Sequence, residues 1–318
     1  MFCIGKYCCF SFYLCIFLVL FLGMYNQINA MNVDKDTYKK DLHKIYNFVC
    51  VTNEKDMKKL CLKLKQSKAF ALDTETTGFN PLKCDCIGIS VCIKEGEAFY
   101  IPFGHKVNSE QLTKKQIVKY LKPIFEDTKI TKYFHHAVFD MIFLYTIGID
   151  VKGPIFCSLF ASNCIGSKSG RHGLKRLSEE YFGETMISFK QAVLDNGYKD
   201  FSQLPLDLAN KYAAADAHQT LKLCKVLKKK LEKKENIHLT YYTKLLPQIK
   251  VDYQNVKKKF LDKNGEGIKK YMKEIYDRLH KIKIIKSVKK IKNNKKKRIY
   301  NKNEYEPKNK KRKYNEKN

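Results

Sequence analysis

Apolar positions along the chain change their spacing several times, and each change predicts a different element. From Phe70 to Ile101, short runs rich in Ile, Val, Phe and Tyr are punctuated by Gly, Asn, Asp and Lys, which predicts a group of strands. Residues Thr113–Phe125 switch to helical spacing, and Thr131–Phe134 predicts one short strand. From there through Tyr212 the pattern is helical. This order predicts an α/β domain, a mixed sheet flanked by helices, with no internal repeat. The first thirty residues differ: Phe10–Leu22 is an almost unbroken apolar run, shorter than the ~20 residues of a comfortable membrane span.

Candidate chemistry lies where acids interrupt these patterns. Side chains alternate along a strand, so Asp73 and Glu75 at the exit of an apolar strand point to the same side. Two adjacent carboxylates repel, and a divalent cation removes that cost. For Asp-x-Glu alone, a solvated acidic turn is the plainer reading. Phe134–Leu144 has a helical apolar pattern that sets His136 and Asp140 four apart on one face, with Asp140 among Phe139, Met141, Ile142 and Phe143. Lys211–Leu223 is a strong helix former with Tyr212 and Asp216 four apart; taken alone it reads as a surface helix. Three acidic sites on separate elements, in an order that can converge, are much harder to obtain by chance. Their hard oxygen donors suit Mg²⁺ or Mn²⁺ and not zinc.

Asp73-x-Glu75, then Asp140, then Tyr212-x-x-x-Asp216 resemble the three motifs of the DEDD 3′–5′ exonucleases, in the subclass with Tyr in the third motif. The likeness is to the proofreading exonuclease domain of bacterial family-A DNA polymerases. The runs Asp73–Leu82, Ile87–Ser90 and Glu95–His105 carry it further, over roughly residues 50–230. The resemblance implies an RNase H-like fold and release of nucleoside 5′-monophosphates from DNA 3′ ends. It implies that Asp73, Glu75, Asp140 and Asp216 hold two Mg²⁺ ions, with Mn²⁺ substituting, and that Tyr212 orients the attacking water. Thr76, Phe79 and Phe189 match positions that hold the terminal nucleotide. His136 stands where the family has an Asn that touches phosphate. The expected substrate is a single-stranded or frayed 3′ DNA end, with an organellar DNA polymerase as partner. An RNA-trimming enzyme of the RNase D type shares the same acids and Tyr, so RNA stays open. A third reading is an inactive exonuclease fold that binds nucleic acid.

Other chemistries find little support. Twelve Cys include no Cys-x-x-Cys, Cys84-Asp-Cys86 is too close for a usual zinc spacing, and no Gly-rich phosphate loop appears. Arg171, Lys175 and Arg176 read as backbone contacts to DNA or as a solvated basic face. The chain carries a net charge of +30, and residues 225–318 hold 33 Lys and Arg against 10 Asp and Glu. The basic excess is therefore mostly a tail. The expected organisation is a signal peptide over 1–30, a possible transit segment over 31–49 within the basic stretch Lys35–Lys68, and an exonuclease domain over 50–235. A helical basic extension follows over 236–285, with one amphipathic helix from Lys257 to Leu279. A disordered Lys-rich tail closes the chain over 286–318, and no polymerase domain is expected after residue 235. The leader predicts delivery through the secretory pathway to a plastid of apicoplast type; the nucleus and a membrane-anchored form are the alternatives.

Overall fold

Strand β2 (Ala69–Thr76) lies inside a six-stranded sheet of order β1-β4-β3-β2-β5-β6. The computed structural model describes residues 46–275 together with residues 42, 277 and 278. The expected signal peptide over 1–30 and the Lys-rich tail over 286–318 lie outside the described residues. Strands β2, β3 (Cys86–Lys94) and β4 (Glu97–Pro102) run antiparallel. Strands β5 (Thr131–Phe134) and β6 (Ile155–Cys157) extend the sheet parallel to β2, and β1 (Asn47–Cys50) pairs parallel with β4. This is the α/β, RNase H-like mixed sheet that the sequence predicts.

The two sheet faces bury different residues, and that difference positions the site. Phe70 and Leu72 face the main core with helix α1 (Glu54–Gln66), helix α2 (Lys114–Phe125) and helix α3 (Ala137–Thr146). Helix α2 starts where Thr113 and Gln116 form a capping box, which fixes the predicted boundary to one residue. Helix α4 (Ser158–Ile165) follows β6, and α5 (Leu174–Phe182) starts after a loop. Ala71 faces the other way and meets helix α6 (Leu206–Glu232), a 27-residue helix laid across the sheet. Ala214 and Ala217 of α6 cluster with Ala71, Cys92 and Ala98, so at this point, between the larger Tyr212 and Leu221, small side chains separate helix from sheet. The expected surface helix is thus a buried one: Tyr212 to Leu221 are buried without a break.

Two organisational expectations change. The basic stretch is folded from residue 46 on: β1 joins the sheet ahead of the expected domain start at 50, and α1, capped by Asn53, lies inside the expected exonuclease domain and buries Met57, Leu60, Cys61 and Leu64. Its lysines face solvent while every third or fourth residue enters the core. The helix expected over Lys257–Leu279 is also broken. After α7 (Glu235–Thr240) and a π-helical turn (Tyr241–Leu245), α8 (Leu246–Leu261) ends where Lys263 adopts a left-handed conformation, φ 52°. Asn264 accepts from the Gly267 N–H at 2.8 Å and starts a new helix, α9, over residues 265–275. Tyr241, Ile249, Tyr253, Val256, Ile268 and Ile275 join the same core as the sheet. The described cysteines form no disulfide with one another. No helix among the described residues is long and apolar enough to cross a membrane.

Candidate active site

The site forms at the exit of β2, where acids from both faces of the sheet meet. Asp73 lies opposite Ser90 and Glu75 opposite Gly88 of β3. At Gly88 a Cβ would sit 2.1 Å from the Tyr100 hydroxyl, so glycine is what lets the Tyr100 ring lie beside Glu75. Tyr100 donates to His105 Nε2 at 2.6 Å, and His105 Nδ1 donates to the Leu204 carbonyl at 3.2 Å. Burial pushes His105 down to about 4, so the ring is neutral near pH 7. Phe201 continues the stack to Tyr212, its ring centroid 5.2 Å from the tyrosine ring. Tyr212 is thereby held by an aromatic column rooted in β4.

Helix α6 brings Asp216 to the same place. Asp73, Glu75 and Asp216 present oxygens that all lie within 4.8 Å of one another. Asp140 arrives from α3 on the other face and is held differently: its Oδ1 accepts from the Thr74 N–H at 3.1 Å and the Thr74 hydroxyl at 2.8 Å. Its Oδ2 is buried with no hydrogen-bond partner among the described residues, and so is Glu75 Oε1. Buried carboxylate oxygens left unpaired are costly. Burial, then the charges of Asp140, Glu75 and Asp216, raise Asp73 well above the usual carboxylate range. Burial and Asp216 do the same for Glu75. Burial lifts Asp140 to about 7 against its Thr74 hydrogen bonds, and burial raises Asp216 against Lys175. Orphaned hard oxygens crowded together are what a divalent cation satisfies, so these residues fit a metal centre.

Lys175, read from the sequence as a DNA-backbone contact or part of a solvated basic face, instead sits among the acids. Its Nζ lies 3.1 Å from Asp216 Oδ1 and 3.9 Å from the centroid of the Tyr212 ring. Nothing in its spacing marks it, because α5 comes to the site only through the fold. The remaining candidates divide. Phe79 stands 88% exposed, so it is not core packing. His136 does not share a helix face with Asp140; it is the N-cap of α3, and its Nδ1 accepts from the Phe139 N–H at 3.4 Å. Both line one cleft, with Phe139 between them and Asp140 next to Phe139 in the chain. The Thr76 hydroxyl donates to the Gly78 carbonyl at 2.7 Å and shapes the turn out of β2. Phe189 precedes a π-helical turn (Lys190–Leu194), is 44% exposed, and does not line that cleft.

Comparison with known proteins identifies a matching family. A family described as "3'-5' exonuclease", of the DNA polymerase A type, matches residues 48–232. DNA polymerase I of Chloroflexus aurantiacus is 35% identical over 198 residues, 60% of this chain and 20% of that protein. DNA polymerase I of Pseudomonas aeruginosa is 34% identical over 176 residues, 54% of this chain and 19% of that protein. The chain thus spans about a fifth of the length of these curated relatives. Among solved structures, Brucella melitensis NrnC bound to pGG is similar with a TM-score of 0.48 and 24% identity, over 66% of this chain and 93% of that one.

Proposed function

The chain belongs to the 3′–5′ exonuclease family that matches residues 48–232, and from that membership we propose that it removes nucleoside 5′-monophosphates from single-stranded or frayed 3′ DNA ends. The observation that carries the reading is the convergence of Asp73, Glu75 and Asp216 within 4.8 Å, with the unpaired oxygen of Asp140 alongside. These four residues would hold Mg²⁺, with Mn²⁺ as a substitute. When bound, such ions supply activation of a water and charge stabilisation of the leaving 3′ oxygen. Tyr212 is raised above its ordinary value by burial and then by Asp216, Glu75 and Asp73. Its hydroxyl therefore keeps its proton and orients a water rather than deprotonating it. Because His136 Nδ1 accepts from backbone, the neutral ring carries its proton on Nε2, the nitrogen that would donate to a phosphate. DNA is the preferred substrate in this reading because the curated relatives are DNA polymerases.

The test is the full chain with 5′-labelled single-stranded DNA and matched RNA, with and without Mg²⁺. Stepwise shortening of DNA from the 3′ end, stopped by EDTA and by Asp73→Ala, is expected. Tyr212→Phe should slow the reaction about a hundredfold without stopping it, since only the aiming of the water is lost. Digestion of RNA alone would move the substrate to RNA, and equal digestion by Asp73→Ala would remove the catalytic assignment. We also propose an organellar address, with an organellar polymerase as partner. A fluorescent fusion of residues 1–45, which excludes β1, should enter a secretory-derived plastid; diffuse cytosolic or nuclear signal would count against it.

A further inference from the structure

We infer that α9, the last of the described helices, forms one wall of the substrate cleft and binds an unstacked nucleobase of the nucleic-acid end. The inference rests on the exonuclease reading and adds a surface that lies outside the family match. A cleft of about 630 Å³ is lined on one side by Phe79, His136 and Phe139 and on the other by Met272, Lys273 and Asp277. The first three sit on the elements that carry the acids: Phe79 follows Glu75 on the loop leaving β2, and His136 and Phe139 precede Asp140 at the start of α3. The other three lie about forty residues beyond residue 232, where the family match ends.

The chemistry of the lining selects a flat, apolar, sequence-tolerant ligand. Phe79 and Phe139 stand 6.2 Å apart by ring centroid, and Phe139 lies 6.0 Å from His136 and 4.8 Å from Phe143. Phe79, Phe139 and His136 form a stepped aromatic surface on the elements that carry Glu75 and Asp140, backed by the buried Phe143, with the Met272 thioether on the facing wall. Every nucleobase has a π-face that stacks on such a surface, and a thioether adapts to rings of different outline. The polar groups on the lining are His136, Lys273 and Asp277. The exposed Lys273 ammonium complements a backbone phosphate. A base held this way has left its stack, so a paired duplex end does not fit.

The wall is anchored and not a loose appendage. The fully buried Asp252 of α8 accepts from Arg278 at 2.9 and 3.2 Å, from the Tyr271 hydroxyl at 3.1 Å and from Gln248 at 2.9 Å. Asn255 donates to Tyr271 at 2.7 Å. Helix α8 is tied in turn to the end of α3, where Asp150 accepts from Tyr253 at 2.6 Å and Lys257 at 2.9 Å. At the other end, a Cβ on Gly265 would lie 3.4 Å from Asn80 Nδ2 and 3.5 Å from Leu82, so α9 starts against the loop that carries Phe79. The helix and the loop therefore present their side chains to the cleft as one unit.

The chain contains no tryptophan, so Met272→Trp places a single indole in the cleft. Oligo-dT added to this variant in EDTA should quench its fluorescence by stacking. In the enzymatic assay, Met272→Glu should raise KM for oligo-dT at least fivefold, with the loss falling on KM and not on kcat; Lys273→Glu should also flatten the dependence of binding on salt. Met272 is partly exposed, so circular dichroism should show both variants folded. A wild type that digests DNA, an Asp73→Ala variant that does not, and a Met272→Glu variant with KM within twofold of wild type would overturn the inference and leave the exonuclease reading intact. A wild type inert on DNA and on RNA would remove both.

Discussion

Lys175, 3.1 Å from Asp216 and stacked over the Tyr212 ring, is the resident counter-charge of a group of buried acids. A divalent cation entering beside Asp216 competes with it. Lys175→Met keeps most of the stem and removes the charge. Loss of one charged hydrogen bond, about 1.5 kcal/mol, should lower the melting temperature in EDTA by roughly 3–6 °C. The same change should tighten Mn²⁺ binding by about tenfold, read by calorimetry. The acids also set a pH dependence. Asp140, raised by burial to about 7, and Asp73 and Glu75, each raised well above the usual carboxylate range by burial and then by neighbouring acids, bind more protons folded than unfolded above the ordinary carboxylate value. Stability from these groups is present at low pH and lost as pH rises through their folded values. His105, His135 and His218, pushed down by burial to about 4, 3 and 4, act in the opposite sense but only below their unfolded value near 6.5. In EDTA, stability to urea should therefore fall between about pH 6.5 and 8, and a divalent cation should flatten the slope.

Elements with a strong local signal were legible, and elements made by the fold were not. Strand β5 and helix α2 announce themselves by their apolar spacing; β5 has the expected limits, and α2 starts one residue inside its expected range, with Thr113 as the cap. Strand β6 is three residues long, too short to alternate, and exists because it pairs with β5. Strand β1 is four residues long and falls mostly in the stretch read as a transit segment, so only its pairing with β4 reveals it. Asp73, Glu75 and Asp140 could be picked out because acids stand out in apolar runs, and Tyr212 and Asp216 through the resemblance of their spacing to the third exonuclease motif, whereas Lys175 has no tie to the acids until α5 is folded against α6. A buried cluster holds these two helices together. Glu184, just past α5, accepts from Lys222 at 2.7 Å through both oxygens, from Gln219 at 2.7 Å and from Tyr46 at 2.9 Å. Glu184→Ala strands the Lys222 ammonium in a site where its side chain is 11% exposed. Urea denaturation should show a loss of about 3 kcal/mol, and Glu184→Gln, which keeps the acceptor, should lose less.

At the scale of the whole molecule, the family match stops before the core does. Tyr241, Ile249, Tyr253, Val256, Ile268 and Ile275 lie beyond residue 232 and are buried with the sheet. The Tyr241 hydroxyl also accepts from the Cys157 N–H at 2.9 Å, tying the extension to β6. Full burial of each such side chain contributes about 1.5–3 kcal/mol, and six of them together match or exceed the 5–15 kcal/mol net stability of an ordinary domain. A chain ended at residue 235 should therefore fail to fold cooperatively, as judged by thermal denaturation and size-exclusion chromatography, even though it retains every acid of the site.

The methyl groups between α6 and the sheet have a consequence for ionic radius. Because Ala214 and Ala217 rest on Ala71, Cys92 and Ala98, the gap from Asp216 to Asp73 and Glu75 is set by how closely a helix can approach a sheet with almost no side chain between them. That gap acts as a gauge for the cation. Mg²⁺ takes oxygens at about 2.0–2.1 Å and Ca²⁺ at about 2.3–2.6 Å. Ala214→Val, two carbons larger, should lift the helix by a fraction of an ångström and move the binding preference from the smaller ion toward the larger. Competition between Mg²⁺ and Ca²⁺ for the purified protein, followed by calorimetry, would register the change without any catalytic assay.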